Sequence, residues 1–555
     1  MSTATATRPR AAEHPGRAHG GGTLTGTRTL ARFVLRRDRV RLSVWTGGLV
    51  LMHVYFVGAL SALYTTPAER QSRAALMETP VSTIMAGPGY GLDDYSVGAM
   101  LSNELIGWVA IALAILNVMH VVRSTRAEEE SGCADLVRAG VVGRHAGAAS
   151  AFVTVLLVDV AIGLLCALVM AGGGLEVVDS LAVGVAYALV GAVFAAVGVV
   201  VAQVTEHARG ANGLGLAVLG AWYAARAFGD MQQEHGSWLS WTSPIGWAQQ
   251  TRAFVDLRWW PLALHVLLTL ALLGVGRRLA SHRDVGAGLA APRPGPAVAA
   301  PDLRSPLALA WRQQRAALAW WAVGLMLLWT ATGTYLEGVE EMFGAVSETN
   351  PQMLELLGGR DQMVGGFVAL SLVFGMLLAA GYGVGAVLRA RGEEQAGRLE
   401  AMLALPVSRV RWFAAQLGVA ALGTLVLALT AVAGIWLGAA LVGVTDPGPE
   451  TYLQAALAYL PALAVYLGLA AALYAWIPRA TWVLWALLAF GFVVGVFGPL
   501  LEVPDAVAAL DPFAAVPRVP VEDLDVAPLV ALAAVAVALA ALALAGLRRR
   551  DVPAP

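Results

Sequence analysis

Few side chains in this sequence could do chemistry, and most of them fall in one acidic pattern that occurs twice. Arg126-Ala-Glu128-Glu129-Glu-Ser-Gly132-Cys-Ala-Asp135, followed by Val142-Gly-Arg144, returns as Arg391-Gly-Glu393-Glu394-Gln-Ala-Gly397-Arg-Leu-Glu400, followed by Val407-Ser-Arg409. The shared residues keep a constant offset of 265 positions. Glu393, Gly397 and Glu400 fall at i, i+4 and i+7, which predicts one face of a short helix. Ala401, Leu403 and Leu405 give that helix apolar positions before Pro406 ends it. Acidic and apolar groups on one short helix suit docking into a partner. A solvated turn would also carry such charges, but an unconstrained loop has no reason to return so closely.

Other chemistry is poorly served. Every cation apart from histidine is Arg, so there is no lysine for a phosphate-binding Gly-x-x-x-x-Gly-Lys loop. If ATP drives this protein, the hydrolysing subunit is a separate chain that uses the ATP and its Mg, and this chain itself binds no cofactor or metal. Cys133 and Cys166 have neither metal-ligand spacing nor a shared environment. Asp93-Asp94 is the clearest isolated acid pair for a metal- or diphosphate-dependent membrane enzyme, yet a solvated loop accounts for it better. Asp159 lies near the middle of an apolar stretch, with Arg226, His53, Asn117, His120 and His265 as the other intramembrane polar candidates. A carboxylate at that depth costs about 2.5–3.5 kcal/mol and should face a cavity or a partner. Asp159 is therefore expected either to line a substrate path or to sit neutral, bonded to a neighbouring helix. Its counterpart at the same offset is Thr424, so paired proton carriers are missing and a proton-coupled antiporter is the weaker alternative.

The elements that hold these residues are membrane helices. Hydrophobic residues make up 58% of the 555 positions and charged ones 14%, and mean hydropathy is +0.67. A net charge of −1 gives no reason to expect nucleic acid as a partner. Apolar blocks long enough to cross a bilayer run over 42–63, 104–122, 146–171, 181–203, 210–228 and 259–276, then 316–336, 365–388, 412–442, 452–476, 480–501 and 527–547. The expected fold is an all-α integral membrane protein of about twelve transmembrane helices. Arg is concentrated in alternate connections, including Arg32 to Arg41, Arg123 to Arg144, Arg277 to Arg315, Arg389 to Arg411 and Arg548–Arg550, which places both termini in the cytoplasm. The opposite connections hold Asp93, Asp94, Glu337, Glu340, Glu341, Glu522, Asp523 and Asp525. The aromatic loop from Trp238 to Trp260 reads as an interfacial anchor or as a short re-entrant helix.

Further echoes extend the duplication. Arg37 to Trp45 parallels Arg312 to Trp320, and Arg283-Asp-Val parallels Arg550-Asp-Val. The expected layout is a disordered cytoplasmic tail at 1–27, a first six-span half at 28–280, a linker at 281–302 and a second six-span half at 303–555. An even number of spans per half makes the repeats parallel, with a substrate path between them.

Glu393-Glu394-x-x-Gly397-x-x-Glu400 with Leu405-Pro406-Val407-Ser408-Arg409 resembles the cytoplasmic coupling helix of type-2 ABC exporter permeases. The fused layout, with Arg283-Asp-Val-Gly-Ala-Gly-Leu289 and Pro292-Arg-Pro-Gly-Pro296 between the halves, resembles the permeases of bacterial polyketide-antibiotic exporters. The resemblance implies a cytosolic ABC ATPase dimer gripping two coupling helices, and outward transport of small hydrophobic or amphipathic compounds through the cell membrane. It assigns the coupling role to Glu128, Glu129, Gly132, Asp135 and Arg144 in the first half and to Glu393, Glu394, Gly397, Glu400 and Arg409 in the second. The first copy departs at Gly140-Val141 in place of Leu405-Pro406 and at Cys133 in place of Arg398, so the docking sites are expected to be unequal. The stretches Thr29–Arg41 and Leu303–Arg315 resemble that family's interfacial connecting helices, and they pair Leu, Phe and Trp with Arg.

Overall fold

The computed structural model describes residues 22–284, 286–290, 295, 297–301, 303–339, 362–497 and 503–550. Most of the N-terminal tail and of the Pro292–Pro296 motif, Glu340, Glu341 and the Asp551-Val552 echo lie outside the described residues. The described residues are 79% helical, with no strand among them. The chain divides into two compact units, Met1–Arg293 and Pro294–Pro555.

The first unit contains α1 (Thr27–Arg37), α2 (Arg39–Leu63), α3 (Pro67–Met77), α4 (Pro80–Met85), α5 (Val97–Arg123), α6 (Arg126–Glu130) and α7 (Cys133–Arg138), then α8 (Ala146–Gly172), α9 (Val177–Val204), α10 (Ala208–Gln232), α11 (Pro244–Gln249) and α12 (Trp260–Ser281). Start signals in the sequence fix several of these. Thr79 caps α4 ahead of Pro80, and Ser96 caps α5 by accepting from the Ala99 amide. α9 lies at the centre and packs against α8, α5, α12 and α10. Glycine sets the closest of these crossings: a Cβ on Gly163 would lie 2.2 Å from the Gly184 carbonyl oxygen. Backbones can approach this closely only where side chains are small.

The second unit contains α13 (Pro306–Gly333), α14 (Met363–Gln395), α15 (Arg398–Leu403), α16 (Arg409–Leu441), α17 (Pro449–Trp476), α18 (Val483–Phe497), α19 (Asp505–Ala508) and α20 (Val526–Arg549). Here α16 packs on α13, α14 and α17, and α17 also carries α20. Its tightest crossing again uses glycine, with a Cβ on Gly438 falling 2.1 Å from the Thr330 carbonyl oxygen.

Among the described residues, eleven helices are long and apolar enough to cross a membrane. The block expected over 210–228 is not among them, although it is a helix of 25 residues, α10. Arg209, Arg226 and Asp230 lower its hydropathy. Arg226 is buried among the packed helices and not turned out to solvent. Its guanidinium reaches the Thr83 and Ile84 carbonyls at the end of α4, pairs with Asp230 at 3.3 Å and stacks on Tyr223. Packed carbonyls replace water as its acceptors. The aromatic loop forms a short helix: all six residues of α11 are buried, against α5, α9 and α12. Trp238, Trp259 and Trp260 remain exposed.

Candidate functional site

In the first unit the acidic segment is two short helices joined at Gly132, and not one continuous helix. Gly132 has φ 76°, a left-handed conformation that costs any residue with a Cβ. A Cβ there would meet nothing within 4 Å, so backbone conformation and not space demands glycine. Gly397 repeats this in the second unit at φ 69°. The expected alignment of Glu393, Gly397 and Glu400 on one helical face is thereby corrected: Glu393 lies in the last turn of α14, Glu400 in the first turn of α15, and the chain turns between them. The units differ just before this turn. Thr125 back-bonds to the Val121 carbonyl at 2.6 Å and α5 stops at Arg123, whereas α14 continues to Gln395.

Glu129 is the hub of the first segment. Its carboxylate accepts from Arg283 at 2.7 and 2.8 Å and from Arg126 at 2.6 Å. Arg138 adds a contact at 3.5 Å. The Glu129 side chain is only 9% exposed and that of Arg283 only 7%, so this is an enclosed, multiply bonded ion pair. Arg144, at the start of the third span, donates to the carbonyls of Ala280 at 2.6 Å and Arg283 at 3.2 Å. Glu128 pairs with Arg37 at the end of α1. Arg37 also bonds Asp38 at 3.1 Å, with Arg123 nearby. Burial alone would raise the Asp38 carboxyl, but the Arg37 bond and the charges of Arg37 and Arg123 outweigh it and hold the group below the usual carboxylate range. The segment before α1 is stitched on as well, with the Gly143 amide bonded to the Thr25 carbonyl and the His145 amide to the Thr23 carbonyl, both at 2.9 Å.

The second unit builds the same arrangement from the corresponding residues. Glu394, the counterpart of Glu129, accepts from Arg550 and from the Tyr474 hydroxyl at 3.0 Å. Arg550 also donates to the Tyr474 carbonyl at 2.9 Å and lies over its ring. Arg409, the counterpart of Arg144, donates to the Arg550 carbonyl. Glu393 differs from Glu128: it takes Arg398 of its own segment at 2.8 and 2.9 Å. Cys133 stands where Arg398 would be, which leaves Glu128 for Arg37.

Of the residues expected to meet a partner, Glu129, Glu394, Arg144 and Arg409 are thus engaged inside their own units. Asp135 and Glu400 are exposed. So are Leu136 (80%), Val141 (85%) and Leu405 (55%). Sequence reasoning passed over Arg283, Arg550, Tyr474 and Arg37 as contacts of these acids. The Arg-Asp-Val echo after each sixth span was the signal for the first two.

Asp159 is fully buried among α5, α8 and α9. Its Oδ1 accepts from the Asn117 amide at 3.0 Å, and its Oδ2 has no hydrogen-bond partner among the described residues. A Cβ on Gly191 would sit 2.4 Å from Oδ2, so glycine makes room for the carboxylate. Thr424 in the second unit bonds its own helix at Ala420 and lies against Gly383 in the same way. The described residues contain no His, Cys, Asp and Glu group able to hold a metal ion.

Comparison with known proteins gives this arrangement its context. The family model described as "Multidrug efflux system permease Rv1217c, C-terminal domain" matches residues 28–279 and 303–548. The multidrug efflux system permease protein Rv1217c of Mycobacterium tuberculosis (strain ATCC 25618 / H37Rv) is 35% identical over 557 residues, covering 100% of each chain. With these matches and its membrane-length helices, the chain is a multi-pass membrane protein that belongs to the Rv1217c family of multidrug efflux system permeases.

Proposed function

We propose that this chain is the membrane subunit of an ATP-driven exporter of hydrophobic or amphipathic compounds, antibiotics and drugs among them, powered by a separate cytosolic ABC ATPase dimer. One observation carries the reading. Both units hold an acidic segment in the same Glu–Arg framework, and each segment leaves an acid and bare apolar side chains outward: Asp135, Leu136 and Val141 in one, Glu400 and Leu405 in the other. Bare apolar groups beside unpaired acids, at two matching places, are what a two-fold partner would cover. Membership of a multidrug efflux permease family supports efflux as the direction and drugs as the cargo. The arginine distribution supports a cytoplasmic position, where ATP is, for both segments and both termini.

The test is co-expression with each candidate ABC ATPase of the same organism. One of them should purify with this chain as a complex, substrate should stimulate hydrolysis, and replacing that ATPase's Walker lysine should abolish export. Export that survives that replacement overturns the proposal. A proton-coupled antiporter is the second reading, favoured by the unpartnered Oδ2 of Asp159. Export from ATP-loaded vesicles after collapse of the proton gradient separates the two.

A further inference from the structure

Each acidic segment is held by more than one contact. In the first unit Glu129 of α6, just beyond the second span, Arg144 at the start of the third and Arg283, two residues beyond the sixth, meet at one point. In the second unit Glu394, Arg409 and Arg550 meet in the same way, and Arg550 directly follows α20. The chemistry matches as well as the position. A carboxylate takes the guanidinium of the residue after the sixth span, while a second guanidinium holds that same residue's carbonyl. The residues beside these knots are free to differ, as Cys133 against Arg398 and Glu128–Arg37 against Glu393–Arg398 show. Such a knot is stiff. An enclosed Glu–Arg pair with further bonds to each partner cannot slide without leaving a buried charge unpaired.

We infer that Glu129 with Arg283, and Glu394 with Arg550, are positioning pairs that make each acidic segment and the end of its own unit's sixth span one rigid body, so that displacement of the segment is delivered to α12 or α20. This rests on the exporter reading above, in which the displacement comes from the ATPase. It gives these residues a role distinct from partner contact: the outward residues receive the push, and the knots pass it into the membrane helices.

The experiment uses the full chain in complex with its ATPase, with Cys133→Ser and Cys166→Ala to remove the native thiols. Glu394→Cys and Arg550→Cys are then added and joined, or left unjoined, with a bis-methanethiosulfonate cross-linker. Unjoined, transport per ATP hydrolysed should fall about tenfold, within the usual range of a coupling term, while hydrolysis continues. Cross-linking should restore it, and reducing the link should remove it again. A joined variant that hydrolyses ATP but stays at the unjoined level means the two segments must part during the cycle, and overturns the inference. An unjoined variant that merely melts at a lower temperature, with wild-type transport per ATP, assigns the pair to stability and overturns it too. Wild-type protein that exports without any ATPase overturns the exporter reading and, with it, this inference.

Discussion

Gly132 and Gly397 show how single residues constrain this protein. Both hold left-handed backbone, so replacement by alanine adds about 1–2 kcal/mol of conformational strain, at Gly132 with no clash because a Cβ there meets nothing within 4 Å. Gly132→Ala and Gly397→Ala should each raise amide exchange in the local acidic segment roughly tenfold, since about 1.4 kcal/mol is a factor of ten. Exchange elsewhere should be unchanged, and hydrogen-exchange mass spectrometry reads both. Asp38 is sensitive to pH. Its depressed carboxyl contributes stability that is complete above the unfolded value near 3.8 and disappears as pH falls through the lower folded value. Asp38→Asn should therefore flatten the acid limb of thermal stability measured against pH. For Asp159, substitution by Asn keeps the shape and an acceptor for Asn117, so yield and melting temperature should stay close to wild type. A changed export profile in that stable variant would put the carboxylate on the substrate path, and an unchanged one would leave it a packing group.

At the scale of elements, the acidic segments divide their residues between two jobs. Glu129 and Glu394 bind the knots, and Asp135, Leu136, Glu400 and Leu405 are left bare. Leu136→Asp and, in the second unit, Leu405→Asp should weaken association with the ATPase by tenfold or more, as loss of about 1.5–3 kcal/mol of leucine burial implies. The melting temperature of the isolated permease should not change, because both side chains are already exposed. Pull-down against the ATPase paired with differential scanning fluorimetry checks this. The acidic segments were legible as elements because Glu, Gly and Arg returned at fixed spacing. Their bent shape was not. The helical period fitted Glu393, Gly397 and Glu400 equally well, and a positive φ leaves no mark on periodicity. The chain announced it only through the identity of the glycine itself.

At the scale of the molecule, the chain divides between Arg293 and Pro294 into two units. Co-expression of residues 1–293 and 294–555 as two polypeptides should restore the export of the intact chain, measured as drug resistance in the host cell. The sequence alone determined the class of molecule, most of the membrane helices and the doubling of the acidic pattern, because uninterrupted apolar length and repeat spacing are properties of the chain read in order. Only the tertiary structure decided where the charges go. Glu129 meets Arg283, and Glu394 meets Arg550, about 155 residues away in each case. Arg226 finds carbonyls instead of solvent, and Asp159 is closed in by a glycine on the next helix. A buried charge is satisfied by whatever folding brings within about 3 Å, and contacts so distant in sequence exist only once the helices have packed.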